Sequence, residues 1–142
     1  MKYEFASAGW MAFMHGMIAE RVRQLGEQSP PLRISLCEVF TDPPRHLSPD
    51  GSPIAWHCVL DENGLRFGAH EVDDVLWKVR GDYDAIVPLG RYDTRGDPDR
   101  AADLARMGAE LVAHGLMAIE GDRSQRDPRV GSFHDEIARV TA

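Results

Sequence analysis

Cysteine, basic residues and long apolar runs are all scarce in this sequence. The 142 residues contain two cysteines, Cys37 and Cys58, too few for a disulfide scaffold of this length. No run of about 18 apolar residues is present, which excludes a transmembrane helix and argues against stable membrane insertion. The first residues have no apolar stretch of the signal-peptide kind, so we predict a cytoplasmic location.

The balance of charge excludes further classes. Lys and Arg number 16 against 23 Asp and Glu, giving a net charge of −7. Nucleic-acid binders normally carry a basic surface, so we predict no nucleic-acid partner. Anionic membrane surfaces are disfavoured for the same reason. With 43% hydrophobic residues the chain is not a disordered one, and its length predicts one domain over residues 1–142.

Common cofactor and catalytic motifs are also missing. The chain contains no G-x-S-x-G, no phosphate-binding P-loop and no G-x-G-x-x-G, so we predict neither a nucleotide nor a dinucleotide cofactor. Four residues carry atoms that could ligate zinc: Cys37, His57, Cys58 and His70. Their spacing is wrong for a zinc knuckle, and we predict no metal site.

Apolar periodicity and capping residues predict four helices. The first is capped by Ser7 and stops at Gly26. A short one is capped by Asp82, runs through Val87 and is expected to be kinked or ended by Pro88. A long one begins at Asp97-Pro98 and ends at His114-Gly115, and a terminal one opens at Asp127-Pro128.

Alternating or β-branched segments predict five strands, at residues 33–40, 54–60, 65–69, 75–80 and 116–119. Asn63-Gly64 marks a tight hairpin between the second and third. The segment 41–53 carries four prolines and is expected to be a loop. A hairpin-rich sheet with clustered helices predicts an α+β fold, with helices on one face.

Two segments carry a resemblance to a known family. A strand leads through Lys78-Val79-Arg80-Gly81-Asp82-Tyr83 into a short helix, and a longer helix leads to Gly115-Leu116-Met117-Ala118-Ile119-Glu120-Gly121-Asp122. This pattern resembles the sterol carrier protein-2 (SCP2-like) fold over roughly residues 30–140. The resemblance implies one mostly antiparallel five-stranded sheet, helices on one face, and an apolar cavity between them. It implies no fixed catalytic residues, and the proline-rich loop departs from it.

In such a fold a tunnel would take lipids or other apolar molecules. The large apolar side chains expected to line it are Phe40, Trp56, Phe67, Trp77, Leu104, Met107, Leu111 and Phe133. The same residues would equally serve as a filled core, the commoner role of period-matched apolar side chains. The loop 41–53 and the terminal helix would be the natural gates.

Two polar residues are candidates for chemistry. Glu38 shares one strand face with Ile34 and Phe40. If that face is the core, burial raises the pKa of Glu38 and makes it a candidate general acid or base. The alternative is a solvated or arginine-paired carboxylate. His57 alternates with Trp56 and is either a hydrogen-bonded or surface histidine or, in the sharper hypothesis, a dyad partner of Glu38.

The preferred hypothesis is a carrier of a lipid, sterol or other apolar molecule, without a cofactor. The alternative is a cofactor-independent isomerase, lyase or hydrolase of an apolar substrate, with Glu38 as acid or base and His57, Tyr83 or Tyr92 assisting. A third possibility is an assembly partner whose apolar helix docks another protein. A homodimer is left open.

Overall fold

The chain folds as helix, strand, hairpin, strand, two helices, strand and helix, as the sequence predicts. A computed structural model describes residues 1–142, apart from the side chain at position 125. The elements are α1 (Ala8–Leu25), β1 (Ile34–Thr41), β2 (Ile54–Asp61), β3 (Gly64–Gly68), β4 (Trp77–Asp82), α2 (Tyr83–Arg91), α3 (Pro98–Ala113), β5 (Met117–Gly121) and α4 (Phe133–Val140). Two short 3₁₀ turns, Arg123–Gln125 and Pro128–Val130, lie between β5 and α4.

The predicted helix caps are confirmed. Ser7 accepts a hydrogen bond from the backbone N–H of Trp10, and Asp82 accepts one from Ala85. Asp97 caps α3 with Pro98 in its first turn. Each cap supplies an acceptor to a backbone donor that has no partner within the helix.

Two helix boundaries were predicted wrongly. Helix α2 continues past Pro88 to Arg91, because a proline in a helix this short breaks few backbone hydrogen bonds. The terminal helix does not begin at Asp127-Pro128. That pair opens only a single 3₁₀ turn, and α4 starts after Ser132.

The five strands form one sheet in the order β3-β2-β1-β4-β5. The sheet is mixed rather than mostly antiparallel, because the central strand β1 runs parallel to its neighbour β4. The reason lies in the connection after the hairpin. Parallel neighbours require a crossover, and residues 69–76 provide it by returning along the sheet face opposite the helices. We call residues 69–76 the strap.

The main core lies between the sheet and the helices. Buried side chains of α1, α2 and α4, such as Met14, Ile86 and Ile137, join Phe40, Trp56 and Val79 of the sheet in one apolar cluster. The opposite sheet face carries a smaller cluster, in which Cys37, Val39 and Ala55 are covered by Val72 and Val75 of the strap. We call the two sides the helix face and the strap face.

Helix α3 contributes little to either cluster. None of its residues is buried, and it packs beside α2 and β5. Its side chains Leu104 and Met107 are half-buried and lie outside the main cluster, whereas Leu111 packs against it. Fitting this placement, a methyl group at Gly108 would meet Met117 and Leu89.

Candidate functional site: a carboxyl among aromatic rings

The register of β1 and β2 places Glu38 on the helix face. Glu38 is the cross-strand partner of Trp56 and the parallel partner of Val79, and both partners belong to the main cluster. The sequence-based condition, that the Ile34 side of β1 is the core side, is therefore met. Glu38 lies on the central strand of this face, yet it is half-buried rather than buried.

The Glu38 carboxyl makes one hydrogen bond. The indole Nε1–H of Trp56 donates to Oε1 at 2.9 Å, and Oε2 has no hydrogen-bond partner among the described residues. No fully enclosed side-chain oxygen of the described residues lacks a partner, so Oε2 is reached by solvent. The free oxygen of the carboxyl is therefore accessible at the centre of the helix face.

Burial raises the pKa of Glu38 above its usual range. The positive charge of Arg123 and the hydrogen bond from Trp56 both oppose this effect, but they do not cancel it. The loss of hydration destabilises the ionised carboxylate by more than a single hydrogen bond stabilises it. The pKa of Glu38 is thus shifted in the direction that suits proton exchange near neutral pH.

A stack of rings extends from Glu38 to the edge of the sheet. Phe67 of β3 lies 5.6 Å from Trp56, with the ring planes 22° apart. On its other side Phe67 lies 4.6 Å from the imidazole of His15 on α1, in a nearly parallel stack. His15 is exposed, so the stack runs from the carboxyl to solvent.

The opposite side of Glu38 is bounded by Trp77 and Arg123. The Arg123 guanidinium lies 5.3 Å from the centre of the Trp77 ring, a distance at which a cation is attracted by the ring face. Loss of water and repulsion from Arg126 lower the pKa of Arg123, and attraction to Glu38 opposes them without cancelling them. We call Glu38, Trp56, Phe67, His15, Trp77 and Arg123 the Glu38 crevice.

His57 does not share this site. It is the cross-strand partner of Cys37 and lies on the strap face, where its Nδ1 is 2.9 Å from the backbone oxygen of His70. Because β-strand side chains alternate between faces, Glu38 and His57 point to opposite sides of the sheet. The predicted Glu38–His57 dyad is therefore wrong.

The two tyrosines considered as catalytic helpers form hydrogen bonds with groups other than Glu38. The Tyr83 hydroxyl donates to the backbone oxygen of Phe5 at 2.7 Å, and burial raises the pKa of Tyr83 to about 12. The Tyr92 hydroxyl donates to Asp103 at 3.3 Å. Neither contact brings a phenol to Glu38.

The side chains predicted to line a tunnel fall into three groups. Trp56, Phe67 and Trp77 belong to the Glu38 crevice. Phe40 is fully buried with its ring 4.8 Å from that of Phe5, and Phe133 packs against the main cluster, so these two serve the core. Leu104, Met107 and Leu111 sit on α3, and no described contact joins them to Glu38.

Two surface clefts lie away from the crevice. One of about 370 Å³ is lined by residues that include Glu4, Tyr83 and Arg91. The other, of about 380 Å³, lies along α1 and α4 beside Phe13 and Met17. Neither cleft is lined by Glu38 or by a side chain predicted to line a tunnel, although Tyr83, considered as a catalytic helper, lines the first.

The four residues with zinc-ligating atoms are divided between the two faces. Cys58 lies on the helix face, where burial raises the pKa of its thiol to about 12. Cys37 and His57 lie on the strap face. Among the described residues, no group of three or more His, Cys, Asp or Glu side chains could hold a metal ion.

Two members of the crevice were not found from the sequence. Arg123 follows the β5 segment by two residues, but no pattern in the sequence places it over Trp77. His15 lies on the exposed side of α1, and only the α1–β3 packing reveals its stacking on Phe67.

No helix among the described residues is long and apolar enough to span a membrane.

Comparison with known proteins gives one similarity of fold. A solved structure described as "UbiJ-SCP2 Ubiquinone synthesis protein" is 15% identical, with a TM-score of 0.42, over 78% of this chain and 73% of that chain. A likeness this distant does not show the family, so the SCP2-like resemblance stays a prediction from the sequence. The likeness also says nothing about what the chain binds. No protein-family model matches the chain, and no curated protein matches it.

Proposed function

We propose that the protein binds a small, largely apolar molecule in the Glu38 crevice. The observation that carries the proposal is a carboxyl oxygen, Glu38 Oε2, that stays accessible between aromatic rings at the centre of an otherwise packed sheet face. A filled core would not leave a carboxyl there, because an unpaired polar group in an apolar environment is costly.

We expect the binding energy to come from the ring surface that the crevice leaves accessible, mainly that of Phe67, with Trp56 and Trp77 as its walls. Trp56 and Trp77 are nearly buried, at 5% and 8% exposure, and Phe67 is half-buried. Flat faces of this kind gain about 25 cal/mol for each Å² of apolar ligand surface removed from water, and part of that gain is lost in ordering the ligand. The carboxyl then selects ligands that place a polar group beside it.

The first experiment is native mass spectrometry of the freshly purified protein, followed by organic extraction. An apolar adduct at one copy per chain supports the proposal and gives the ligand class. In parallel, a neutral dye such as Nile red is titrated against the protein, with Trp fluorescence as a second signal. A bare protein that also takes up no neutral apolar probe overturns the proposal.

Matched variants locate the binding. Phe67→Ala removes a ring from the crevice and is expected to weaken Nile red binding about fivefold or more. Val112→Ala removes apolar surface from an exposed position on α3 and is expected to leave binding unchanged. Equal losses in both variants would place the dye elsewhere on the surface.

A second candidate function is acid–base catalysis by Glu38 in the same crevice. The raised pKa of Glu38 favours it, since a base is most effective when its pKa lies near the working pH. An activated carbon acid, 5-nitrobenzisoxazole, tests this capacity directly. We expect faster ring opening with the unaltered protein than with Glu38→Gln, and equal rates would remove Glu38 as a base.

A further inference from the structure

Strand β5 forms an open edge of the sheet. It pairs with β4 and stands at one end of the strand order, and every residue of β5 except Met117 is exposed. Apart from Met1, the exposed large apolar side chains of the described residues are Val112, Leu116 and Ile119. All three fall within the segment 112–119 that leads into β5 and along it. An exposed apolar edge strand is a ready surface for pairing with another chain.

The opposite edge of the sheet, strand β3, is better protected. Its central residue Arg66 is charged and forms an ion pair with Asp61, and α1 reaches the strand through the stack of His15 on Phe67. Charged side chains and covering elements are the usual means by which proteins prevent edge pairing. The sequence of β5 contains a single charged residue, Glu120. Of the two edges, β5 is therefore the one open to a partner.

The backbone hydrogen bonds at the two ends of the β4–β5 pair fix the direction of its peptide groups. The N–H of Asp82 donates to the backbone oxygen of Leu116 at 3.0 Å, and the N–H of Asp122 donates to that of Leu76 at 3.4 Å. Leu116 and Asp122 thus direct their backbone groups towards β4. Antiparallel strands alternate between residues that face the partner strand and residues that face away.

The residues between these ends follow the same alternation. Ala118 and Glu120 direct their backbone groups towards β4, whereas Met117, Ile119 and Gly121 direct theirs outward. The hydrogen bonds of the described residues give the outward groups no partner. The outward set is symmetric about Ile119, which is the middle residue of the strand.

We propose that two copies of this chain pair through β5, antiparallel about a two-fold axis at Ile119, and form one continuous sheet of ten strands. Ile119 then exchanges two backbone hydrogen bonds with the partner's Ile119, and Met117 pairs with the partner's Gly121. Glu120 falls opposite the partner's Ala118, so no like charges face each other directly. A register centred on Glu120 would place the two carboxylates opposite each other, which is destabilising. The proposal does not depend on any ligand of the Glu38 crevice.

The layers of the two copies are also compatible. Helix α3 lies on the helix face beside β5, because a Cβ at Gly108 would lie 3.6 Å from Met117 Cε. A two-fold axis perpendicular to the sheet keeps both helix faces on the same side, so α3 of each copy flanks the junction. Such a short strand buries less than the roughly 1,200 Å² of a stable complex, and we expect a weak dimer with a dissociation constant of about 10–100 µM.

Sedimentation velocity of the full chain tests the association. We expect a monomer at about 1 µM and mostly dimer at about 500 µM, on either side of the expected dissociation constant. A chain that stays monomeric over this whole range overturns the proposal and leaves the edge to a different partner.

A charge at the two-fold axis tests the location. Ile119→Lys places two ammonium groups opposite each other and is expected to raise the dissociation constant about fivefold or more. Ala12→Lys adds the same charge at an exposed position of α1 and is expected to leave association unchanged. Urea unfolding at low concentration checks that both variants fold. Association that is unaffected by Ile119→Lys places the interface elsewhere and overturns the proposal.

Two variants at position 118 test the register. Ala118→Lys faces the partner's Glu120 twice, by symmetry, and is expected to tighten the dimer about threefold, whereas Ala118→Glu is expected to weaken it by a similar factor. Both new side chains lie beside Arg80 of their own chain, but this contact is present in monomer and dimer alike. Equal dissociation constants for the two variants, or the reverse order, would contradict the register centred on Ile119.

Amide hydrogen exchange tests the backbone pairing without any substitution. The N–H of Ile119 is expected to exchange about tenfold more slowly when nine-tenths of the chains are dimeric, because exchange then proceeds from the remaining monomer. The N–H groups of Ala118 and Glu120, which already face β4, are expected to show no such change. Exchange at Ile119 that is independent of protein concentration while the dimer forms overturns the proposal.

Discussion

Glu38 Oε1 accepts a hydrogen bond of 2.9 Å from the indole Nε1 of Trp56, its direct partner across the β1–β2 pair. The pairing holds one carboxyl oxygen against the ring and leaves the other oxygen without a partner. A single backbone register thus fixes both the orientation of the carboxyl and its access to solvent.

Glu38→Gln is expected to change the pH dependence of stability. The pKa of Glu38 is raised in the folded protein, so the unaltered protein loses stability as pH rises from the unfolded pKa, about 4.3, through the higher folded pKa. Glutamine cannot ionise, and its side-chain oxygen still accepts from Trp56. We expect Glu38→Gln to be the more stable protein above this window, by about 1.4 kcal/mol for each pKa unit of difference.

The measurement is urea unfolding at several pH values between 4 and 8. Glu120→Gln, at an exposed position of β5, serves as the control and is expected to follow the unaltered protein. If Glu38→Gln tracks the unaltered protein at every pH, the carboxyl is not disfavoured by burial.

Trp56→Phe is expected to raise the pKa of Glu38 further. The indole N–H is one of two influences that lower this pKa, and phenylalanine retains a ring without the donor. Carbon-detected NMR titration of the Glu38 carboxyl measures the pKa directly. The variant also leaves a small void beside a buried ring, with a stability loss of about 1–3 kcal/mol. An unchanged or lowered Glu38 pKa would contradict the role assigned to the hydrogen bond.

More of the fold than of the site could be predicted from the sequence. Caps such as Ser7 and Asp97, and the turn at Asn63-Gly64, depend on neighbours in the chain, and these were found. The alternation in β1 correctly put Glu38 with Phe40 on one face. The parallel pairing of β1 with β4 was not found, because it depends on the path of the strap and not on any local pattern.

The site depended on register and on distant packing, neither of which a single sequence shows. The sequence allowed the Glu38 and His57 side chains to lie side by side on neighbouring strands. In the observed register they point to opposite faces, so the sheet lies between them. Arg123 and His15 reach the crevice from a 3₁₀ turn and from a helix. Their contributions come from tertiary contacts with Trp77 and Phe67 that no local pattern records.

On the strap face, Lys78→Met is expected to flatten the acid limb of the stability profile. Lys78 Nζ lies 2.8 Å from Glu71 and 2.6 Å from Asp73, and its hydrogen bonds lower the pKa of both carboxyls. Their contribution is present above the unfolded pKa values and is lost as pH falls through the lowered folded values.

Because Asp73 is 96% exposed and Glu71 37% exposed, water screens both pairs, and the loss of stability at pH 7 is expected to be small. Thermal unfolding from pH 3 to 7 measures it, with Arg106→Met as the exposed-pair control. A large loss that persists at pH 3 would show that packing of the lysine stem, and not charge, holds the strap.

Thr94→Val is expected to loosen α4 from the α2–α3 loop. The Thr94 hydroxyl donates to Asp135 Oδ2 at 2.6 Å, and its backbone N–H donates to Oδ1 at 2.8 Å. Both residues are buried, so valine leaves a carboxylate oxygen without its donor, with an expected loss of about 1–3 kcal/mol. Urea unfolding measures the loss, and Ser124→Ala, at an exposed site, is expected to lie within about 0.5 kcal/mol of the unaltered protein.

Gly121→Ala tests how the end of β5 positions Arg123. Gly121 has a φ of +84°, and an added Cβ would lie 2.1 Å from the backbone oxygen of Leu76. Gly96 has a similar φ of +67°, and a Cβ added there would have nothing within 4 Å. Gly96→Ala therefore measures the cost of the positive φ without a collision. We expect a loss of about 1 kcal/mol for Gly96→Ala and about 3 kcal/mol or more for Gly121→Ala. Because the collision is with Leu76, the strap residue next to Trp77, Gly121→Ala should also displace Arg123 and weaken Nile red binding, whereas Gly96→Ala should not. Equal effects of the two variants on stability and binding would mean that the close approach of β5 to Leu76 does not set the position of Arg123.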